Sequence, residues 1–356
     1  MKIGLIVGTG TGSELAEVFC KFISEIRFLL NLNIEIEKHN YQLKTYWELR
    51  KLSWNEIEDK EKIDFEILWQ YLLKFYKEGG RVIFRTAINA EVLYQIRKKG
   101  LAIKVFPMRL KDGRRILMIR DEMQGFYTND EHHLSNELIR FIGSFRKDYF
   151  HIIFNYATQE ASKYLGNDWE IWALYKFHLF ANLIEKWFNE ISDKIKVYQP
   201  DSGIDMLIKY IKNPEKYPKD ILLLTGNEIG DLLCEFLMYI LSMGNKDVLY
   251  SRDVFLEPDL FGLTIYQTIH GSADDIAGKN IVNPFATLRA AGDLIENWFK
   301  IDSFYSVLDG ILEELKDKGI TTPDLGGGKK TMEVVDYILE RIKFYIGGSN
   351  EFKRNS

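Results

Sequence analysis

The sequence predicts an α/β fold, and three observations carry that prediction. The chain opens with an apolar run at residues 2–7, a glycine-rich turn at 8–12, and a helical pattern that Ser13 would cap and that runs toward residue 30. Short apolar runs recur at 81–84, 220–224 and 262–266, as expected of strands buried on both faces of a largely parallel sheet. Between them, residues 89–99, 155–164, 168–191 and 229–242 carry apolar side chains at helical spacing.

A chain of 356 residues exceeds the usual size of one hydrophobic core, so two domains, or one with a large insertion, are expected. With 46% hydrophobic and 28% charged residues the composition is that of a globular protein. A net charge of -5 offers no general attraction for nucleic acid, and the basic cluster at 109–115 reads as a solvated turn around Gly113. Cys20 and Cys234 both lie in apolar sequence, which suggests two buried thiols in a reducing compartment. The first apolar run is too short for a signal-peptide core, and charges interrupt every longer one, so a soluble cytoplasmic protein is expected. Residues 127–146 are polar and partly alternating, a pattern for a hairpin arm that could serve as an interface.

Gly8, Gly10 and Gly12 follow the first strand as a dinucleotide-binding turn would, but their spacing is G-x-G-x-G and no acid about twenty residues on completes the unit. A structural tight turn is the preferred reading. The cluster at 326–328 is ambiguous by itself. In the segment 225–235, T-G-N-E-I-G-D-L-L-C-E, Asp231 and Glu235 stand at i and i+4, so their carboxylates share a helix face. Such a face is suited to half a site for Mg²⁺ or Mn²⁺, although similar pairs occur on solvated helices.

The most informative stretch is H-G-S-A-D-D-I-A-G-K-N-I-V-N-P, residues 270–284, a polar loop between two apolar segments. It resembles the H-G-S-A-P-D-I-A-G-K-x-x-A-N-P signature of the isocitrate/isopropylmalate dehydrogenase family, with Asp274 in place of proline and Val282 in place of alanine. I-R-D-E-M-Q-G-F-Y, residues 119–127, is similar to the family's V-R-E-N-T-E-G-L-Y, and 225–235 to its T-x-N-x-F-G-D-I-L-S-D. The Gly8 turn resembles G-D-G-I-G with Thr9 for aspartate, and T-T-P-D-L-G-G-G at 321–328 resembles T-P-D-L-G-G. The likeness is thinnest from 31 to 76.

The resemblance implies a non-Rossmann, two-domain isopropylmalate dehydrogenase-like sandwich with a dimerisation arm. Residues 1–100 and 242–356 would form a discontinuous cofactor-binding domain, and 101–241 a dimerisation and catalytic domain with its arm at 128–147. NAD would lie against His270, Gly271, Ser272, Ala273, Asp275 and Asn283, with Asp275 accepting from the ribose hydroxyls and repelling the 2′-phosphate of NADP. Tyr127 would be the acid and Lys176 the base. Asp231, Glu235 and Asp205 would bind Mg²⁺ or Mn²⁺; Asp205 is preferred to Asp201. Lys176 and Asp205 would reach the site from the second subunit of a homodimer.

Arg97 and Arg120 match the first and third of three arginines with which the family grips malate carboxylates. The second has no counterpart; Lys104 or Arg85 could replace it. His178 stands where the family has asparagine, near substrate or nicotinamide. The implied reaction is NAD-dependent oxidation, with decarboxylation, of a 2-hydroxy di- or tricarboxylate related to isopropylmalate, isocitrate, homoisocitrate or tartrate. The alternative is a diverged, non-catalytic paralogue that binds NAD or a partner subunit, which the missing arginine and the Thr9, Gln124 and His178 replacements favour.

Overall fold

The computed structural model describes every residue except 42, 126–130, 136, 177–180, 241–248, 270 and 349–356. It divides into two compact units: Met1–Val92, Lys246–Ser251 and Leu263–Ser356 form the first, Leu93–Asn245 and Arg252–Gly262 the second. Arg97, placed by sequence in the cofactor domain, therefore belongs to the second unit.

The first unit is built on four parallel strands in the order β2-β1-β3-β12, namely β1 (Lys2–Ile6), β2 (Glu35–Lys38), β3 (Val82–Arg85) and β12 (Thr264–Thr268). β3 and β12 are buried along their whole length, which is why they read as unbroken apolar runs. Helix α1 (Gly12–Leu29) packs against α9 (Phe285–Phe299) and α11 (Thr331–Gly348), and α9 lies on β12. The helix starts two residues earlier than expected, with Thr11 rather than Ser13 as its N-cap. Between β2 and β3 come the short α2 (Tyr46–Leu49) and the long α3 (Trp54–Lys77), both opened by capping boxes at Thr45/Glu48 and Ser53/Glu56.

The second unit carries strands in the order β11-β4-β5-β10-β8-β9: β4 (Ala102–Arg109), β5 (Arg115–Asp121), β8 (Trp169–Leu174), β9 (Ile195–Tyr198), β10 (Asp220–Thr225) and β11 (Tyr250–Phe255), of which 252–255 belong to this unit. β4 is antiparallel to both neighbours, and the other pairings are parallel. Helix α4 (Ala90–Lys99) leads into β4, and α5 (Lys147–Tyr164) packs on α6 (Ala181–Ile191), β5 and β10. The Phe150 ring of α5 packs tilted against Phe188 at 4.8 Å and edge-on to Tyr175 at 5.4 Å, an aromatic wedge in the core. Helices α7 (Pro200–Lys212) and α8 (Asn227–Ile240) pack together, and α8 also meets β5.

Three expectations are corrected. The single helix over 168–191 is in fact β8 followed, after residues outside the described set, by α6. Its apolar residues Ile171–Leu174 are buried between β10 and β9, and periodicity alone does not separate such a run from a buried helix. The basic cluster at 109–115 does turn at Gly113, whose φ is 93°, but Arg114 is buried, donating to Tyr210 O at 2.7 Å and Tyr217 O at 2.8 Å. Cys234 is buried and its thiol is pushed up to about 12 by that burial, whereas Cys20 is only partly buried.

The arm contains an antiparallel hairpin, β6 (Glu131–Ser135) with β7 (Leu138–Phe141). Leu134, Leu138, Ile139, Phe141 and Ile142 are all exposed on it. Among the described residues no helix is long and apolar enough to cross a membrane.

Candidate active site

In the second unit, strand register sets the site. Asp253 of β11 lies opposite Lys104 of β4, Lys104 opposite Arg120 of β5, Arg120 opposite Thr225 of β10, and Thr225 opposite Leu174 of β8. These residues form one rung, and residues on a rung face the same side of the sheet. β5, β10 and β8 are parallel and end at the rung or one residue past it, so Glu122, Asn227 and Lys176 each stand two residues past the rung, beyond the ends of neighbouring strands. The carboxyl ends of parallel strands are where open α/β sheets bind ligands.

Three cations converge there. Arg97, from the last turn of α4, holds Asp253 Oδ2 through Nε and Nη2, each at 3.0 Å, and reaches Glu122 Oε2 with Nη1 at 3.2 Å. Lys104 Nζ lies 3.3 Å from Glu122 Oε1, and Arg120 Nε 2.9 Å from the same oxygen. Arg120 also donates to Asn227 Oδ1 from Nη2 at 2.6 Å and pairs through Nη1 with Asp231. A Cβ on Gly230 would come within 2.4 Å of Arg120 Cδ, so the absence of a side chain there lets the arginine cross α8. The Glu122 side chain is fully buried and that of Asp231 is 64% exposed, so the cluster opens to solvent on the Asp231 side.

The electrostatics follow from this packing. Burial works against the charge on Arg97, but Asp253 and Glu122 outweigh it and raise its pKa. Burial lowers Lys104 to about 8, helped by the repulsion of Arg97. Burial also opposes ionisation of Glu122, yet Arg120, Arg97 and Lys104 together hold its carboxyl well below the usual range. Next to it, Asp121 is raised to about 7, chiefly by burial, despite accepting from Met123 N at 2.9 Å and Gln124 Nε2 at 2.8 Å. Burial likewise raises Glu228 and, strongly, Tyr175, while the Lys176 charge pulls Glu228 down.

Of the expected site residues, Arg97, Arg120 and Asp231 are brought together, and Lys176 follows the buried Tyr175 with its own side chain exposed. Lys104, one of two candidates for the missing cation, is beside them; Arg85 lies in the first unit and donates to Thr86 O at 3.1 Å. Glu235 is exposed one turn after Asp231. Asp205 is not gathered with them: it pairs with Lys209 at 2.5 Å on α7, and Asp201 is exposed in the first turn of the same helix. Among the described residues no group of three acids, histidines or cysteines is placed to hold a metal ion. Tyr127, His178 and His270 lie outside the described residues. Glu122, Asn227 and Asp253 are additions that sequence reasoning missed. The available signal for Glu122 was its alignment with the asparagine of V-R-E-N-T-E-G-L-Y.

In the first unit the 271–284 loop is fastened to both glycine clusters. Ser272 O accepts from Thr11 N and from Thr11 Oγ1, each at 2.9 Å, and the Glu14 carboxylate accepts from Gly278 N at 2.9 Å and Asn280 N at 2.7 Å. Gly10 has φ +68° and a Cβ there would lie 2.6 Å from Ser272 O; a Cβ on Gly8 would lie 1.8 Å from Ala87 O. The early glycines are thus required by close packing. Asn283 Oδ1 accepts from Phe285 N at 2.9 Å and its Nδ2 donates to Asp324 at 2.8 Å, joining the loop to the 321–328 motif. Ser272 Oγ bonds Asp274, the residue standing in for the family's proline. Gly271 and Asp275 remain exposed, and Ala273 takes a left-handed φ of 42°.

The sequence matches the model of the isocitrate/isopropylmalate dehydrogenase family over residues 72–338. It is 26% identical to the 3-isopropylmalate dehydrogenase of Lactococcus lactis over 67% of this chain and 66% of that one. It is 28% identical to the 3-isopropylmalate/3-methylmalate dehydrogenase of Methanocaldococcus jannaschii over 54% and 56%. The match to the 3-isopropylmalate dehydrogenase of Aquifex aeolicus, at 30% identity, spans only 45% of that relative, so these matches cover between about half and two thirds of the relatives' length. The apo beta-decarboxylating dehydrogenase of Thermococcus kodakarensis shares the fold, with a TM-score of 0.69 at 18% identity over 100% of this chain and 99% of that one. A family match over most of the chain, motifs joined in the first unit and a shared fold lead to one conclusion: this chain belongs to the isocitrate/isopropylmalate dehydrogenase family.

Proposed function

We propose that this chain is an NAD-dependent, divalent-metal-dependent dehydrogenase that oxidises and decarboxylates a 2-hydroxy di- or tricarboxylate of the isopropylmalate, isocitrate or homoisocitrate type. The observation that carries the proposal is the gathering of Arg97, Lys104, Arg120 and Asp231 around β4 and β5, with β8, which leads into Lys176, two strands from β5 across β10.

The donor set fits both groups the reaction needs. Asp231 and Glu235 are exposed carboxylates one helical turn apart, hard oxygen donors of the number that Mg²⁺ or Mn²⁺ takes from protein before water and substrate complete its shell. Asp205 of a second subunit would add the third, and the exposed apolar side chains of the hairpin arm suit a homodimer contact. Asp275, an exposed acid on an anchored loop, suits a ribose diol and disfavours a 2′-phosphate. The thiols of Cys20 and Cys234 are unpaired in a disulfide, in keeping with a cytoplasmic setting.

In this reading Arg97, Lys104 and Arg120 orient the substrate carboxylate end, and Lys176 Nζ takes the proton of the C2 hydroxyl. The bound cation supplies Lewis acidity to that hydroxyl and NAD supplies the hydride acceptor. Tyr127 Oη delivers a proton at C3 after CO₂ departs. His178 would lie near the substrate, and Gly271, Ser272, Ala273, His270 and Asn283 along the adenosine half of the cofactor.

One observation favours the second reading, a non-catalytic paralogue: Arg97 and Arg120 are already engaged by Glu122, Asp231 and Asp253. Purified protein with NAD, Mn²⁺ and a panel of 2-hydroxy acids should generate NADH absorbance, and Lys176→Ala should abolish it. Silence across the panel with NAD binding intact would establish the paralogue.

A further inference from the structure

The cation cluster already contains a carboxylate. Glu122 is wholly buried and both of its oxygens face cations, Oε1 toward Arg120 at 2.9 Å and Lys104 at 3.3 Å, Oε2 toward Arg97 at 3.2 Å. These are ion-pair distances without hydrogen-bond geometry: neither Glu122 oxygen accepts a hydrogen bond, and Arg120 Nε donates to Asn227 Oδ1 at 3.0 Å, so the carboxylate occupies the cationic centre through charge. Asp253 takes two further donors of Arg97, and Asp231 takes Nη1 of Arg120. Among the described residues these three cations face these three carboxylates, so a ligand carboxylate must compete with them for the positive charge.

Glu122 is also placed by backbone rather than by a mobile loop tip. It follows β5 directly, two residues beyond Arg120, whose strand pairs with β4 on one side and β10 on the other. Its position is thus fixed by the same register that brings Lys104 and Arg120 together. An isolated buried carboxylate is strongly disfavoured, so Glu122 and the three cations hold one another in place.

We propose that Glu122 is a specificity-determining residue that stands in for a ligand carboxylate, so that the site selects a 2-hydroxy dicarboxylate over a 2-hydroxy tricarboxylate. The proposal rests on the hydroxy-acid reading above, and it is tested by binding alone, so its outcome is independent of whether turnover is found. Each ligand carboxylate beyond those the remaining groups can balance enters a neutral, largely buried cluster, where it meets Glu122 at close range. Neutralising Glu122 frees the three cations for that extra carboxylate.

The experiment is calorimetric titration of the wild type and of Glu122→Gln with malate and with isocitrate, in metal-free buffer without NAD. Malate and isocitrate share the 2-hydroxy succinate skeleton and differ by one carboxymethyl group. The wild type should bind isocitrate no more tightly than malate, and Glu122→Gln should gain at least about tenfold for isocitrate relative to malate. A wild type that binds isocitrate tenfold more tightly than malate would overturn the proposal. So would a folded Glu122→Gln protein, checked by circular dichroism, whose isocitrate-to-malate ratio equals that of the wild type or which binds neither, because Glu122 would then be a structural ion-pair partner only. If the variant does not fold, the wild-type ratio decides by itself.

Discussion

Replacing Arg97 by methionine, which keeps an unbranched apolar stem and removes the guanidinium, should loosen the strands that carry the site. The change withdraws two contacts of 3.0 Å from Asp253 and one of 3.2 Å from Glu122, whose side chains are 2% and 0% exposed. Removing one partner from a buried ion pair costs about 3–5 kcal/mol, because the other charge is left in a low-dielectric surrounding. Lys104 and Arg120 remain against Glu122, so the loss falls mainly on Asp253 and is not doubled. Hydrogen exchange read by mass spectrometry on the β4 and β5 peptides should then show protection lower by about 100- to 4000-fold, at about 1.4 kcal/mol per decade. Arg97→Met combined with Asp253→Asn removes the stranded charge and should recover at least about half of the loss in free energy. A single variant within about 1 kcal/mol of the wild type, or a double variant as unprotected as the single one, would refute the reasoning.

Two further outcomes follow from the same geometry. Asp121 keeps its proton to about 7 in the folded chain but loses it near 3.8 when unfolded, so unfolding releases a proton between these values and stability falls as pH rises through the window, by up to about 4 kcal/mol. Asp121→Asn should flatten that slope in urea titrations run at successive pH values; an unchanged slope would assign it to other groups. Gly10→Ala forces an alanine into φ +68° and a Cβ to within 2.6 Å of Ser272 O, which costs about 1–2 kcal/mol from the backbone alone and displaces the loop carrying Asp275. NAD binding by calorimetry should weaken at least about tenfold, and an unaltered affinity would show that the turn does not position the loop.

The parts of the molecule that the sequence revealed are those where one local rule acts alone. β3, β10 and β12 are buried along their lengths and announce themselves as apolar runs, and the early glycines declare a tight turn by type and spacing. β8 was hidden because its largely apolar segment, W-E-I-W-A-L, leads into another apolar stretch and so imitates one continuous helix. The long α3 lies in the segment where family likeness is thinnest, although its Ser53/Glu56 capping box was available to read. In the site, Arg97 and Arg120 were legible from motifs, whereas Asp253 becomes their partner only through the pairing of β11 with β4, more than 150 residues from Arg97 in sequence. Glu122 was visible as a residue but not as a neighbour of Lys104, since that proximity depends on strand register.

The discontinuous first unit has a consequence for the birth of the protein. β1, β2 and β3 are synthesised early, but the strand that covers the second edge of β3 is Thr264–Thr268. At about 5–20 residues per second the ribosome takes on the order of ten to tens of seconds to reach it. Throughout that interval Val82–Arg85 presents an unpaired and largely apolar edge, the kind of template on which strands of other chains can add. The carbonyl of Ser272, which Thr11 holds from both its amide and its hydroxyl, is then the latch that closes the unit soon after β12 arrives. Slow translation through the second unit, or loss of that latch, should therefore show itself first as aggregation of nascent chains.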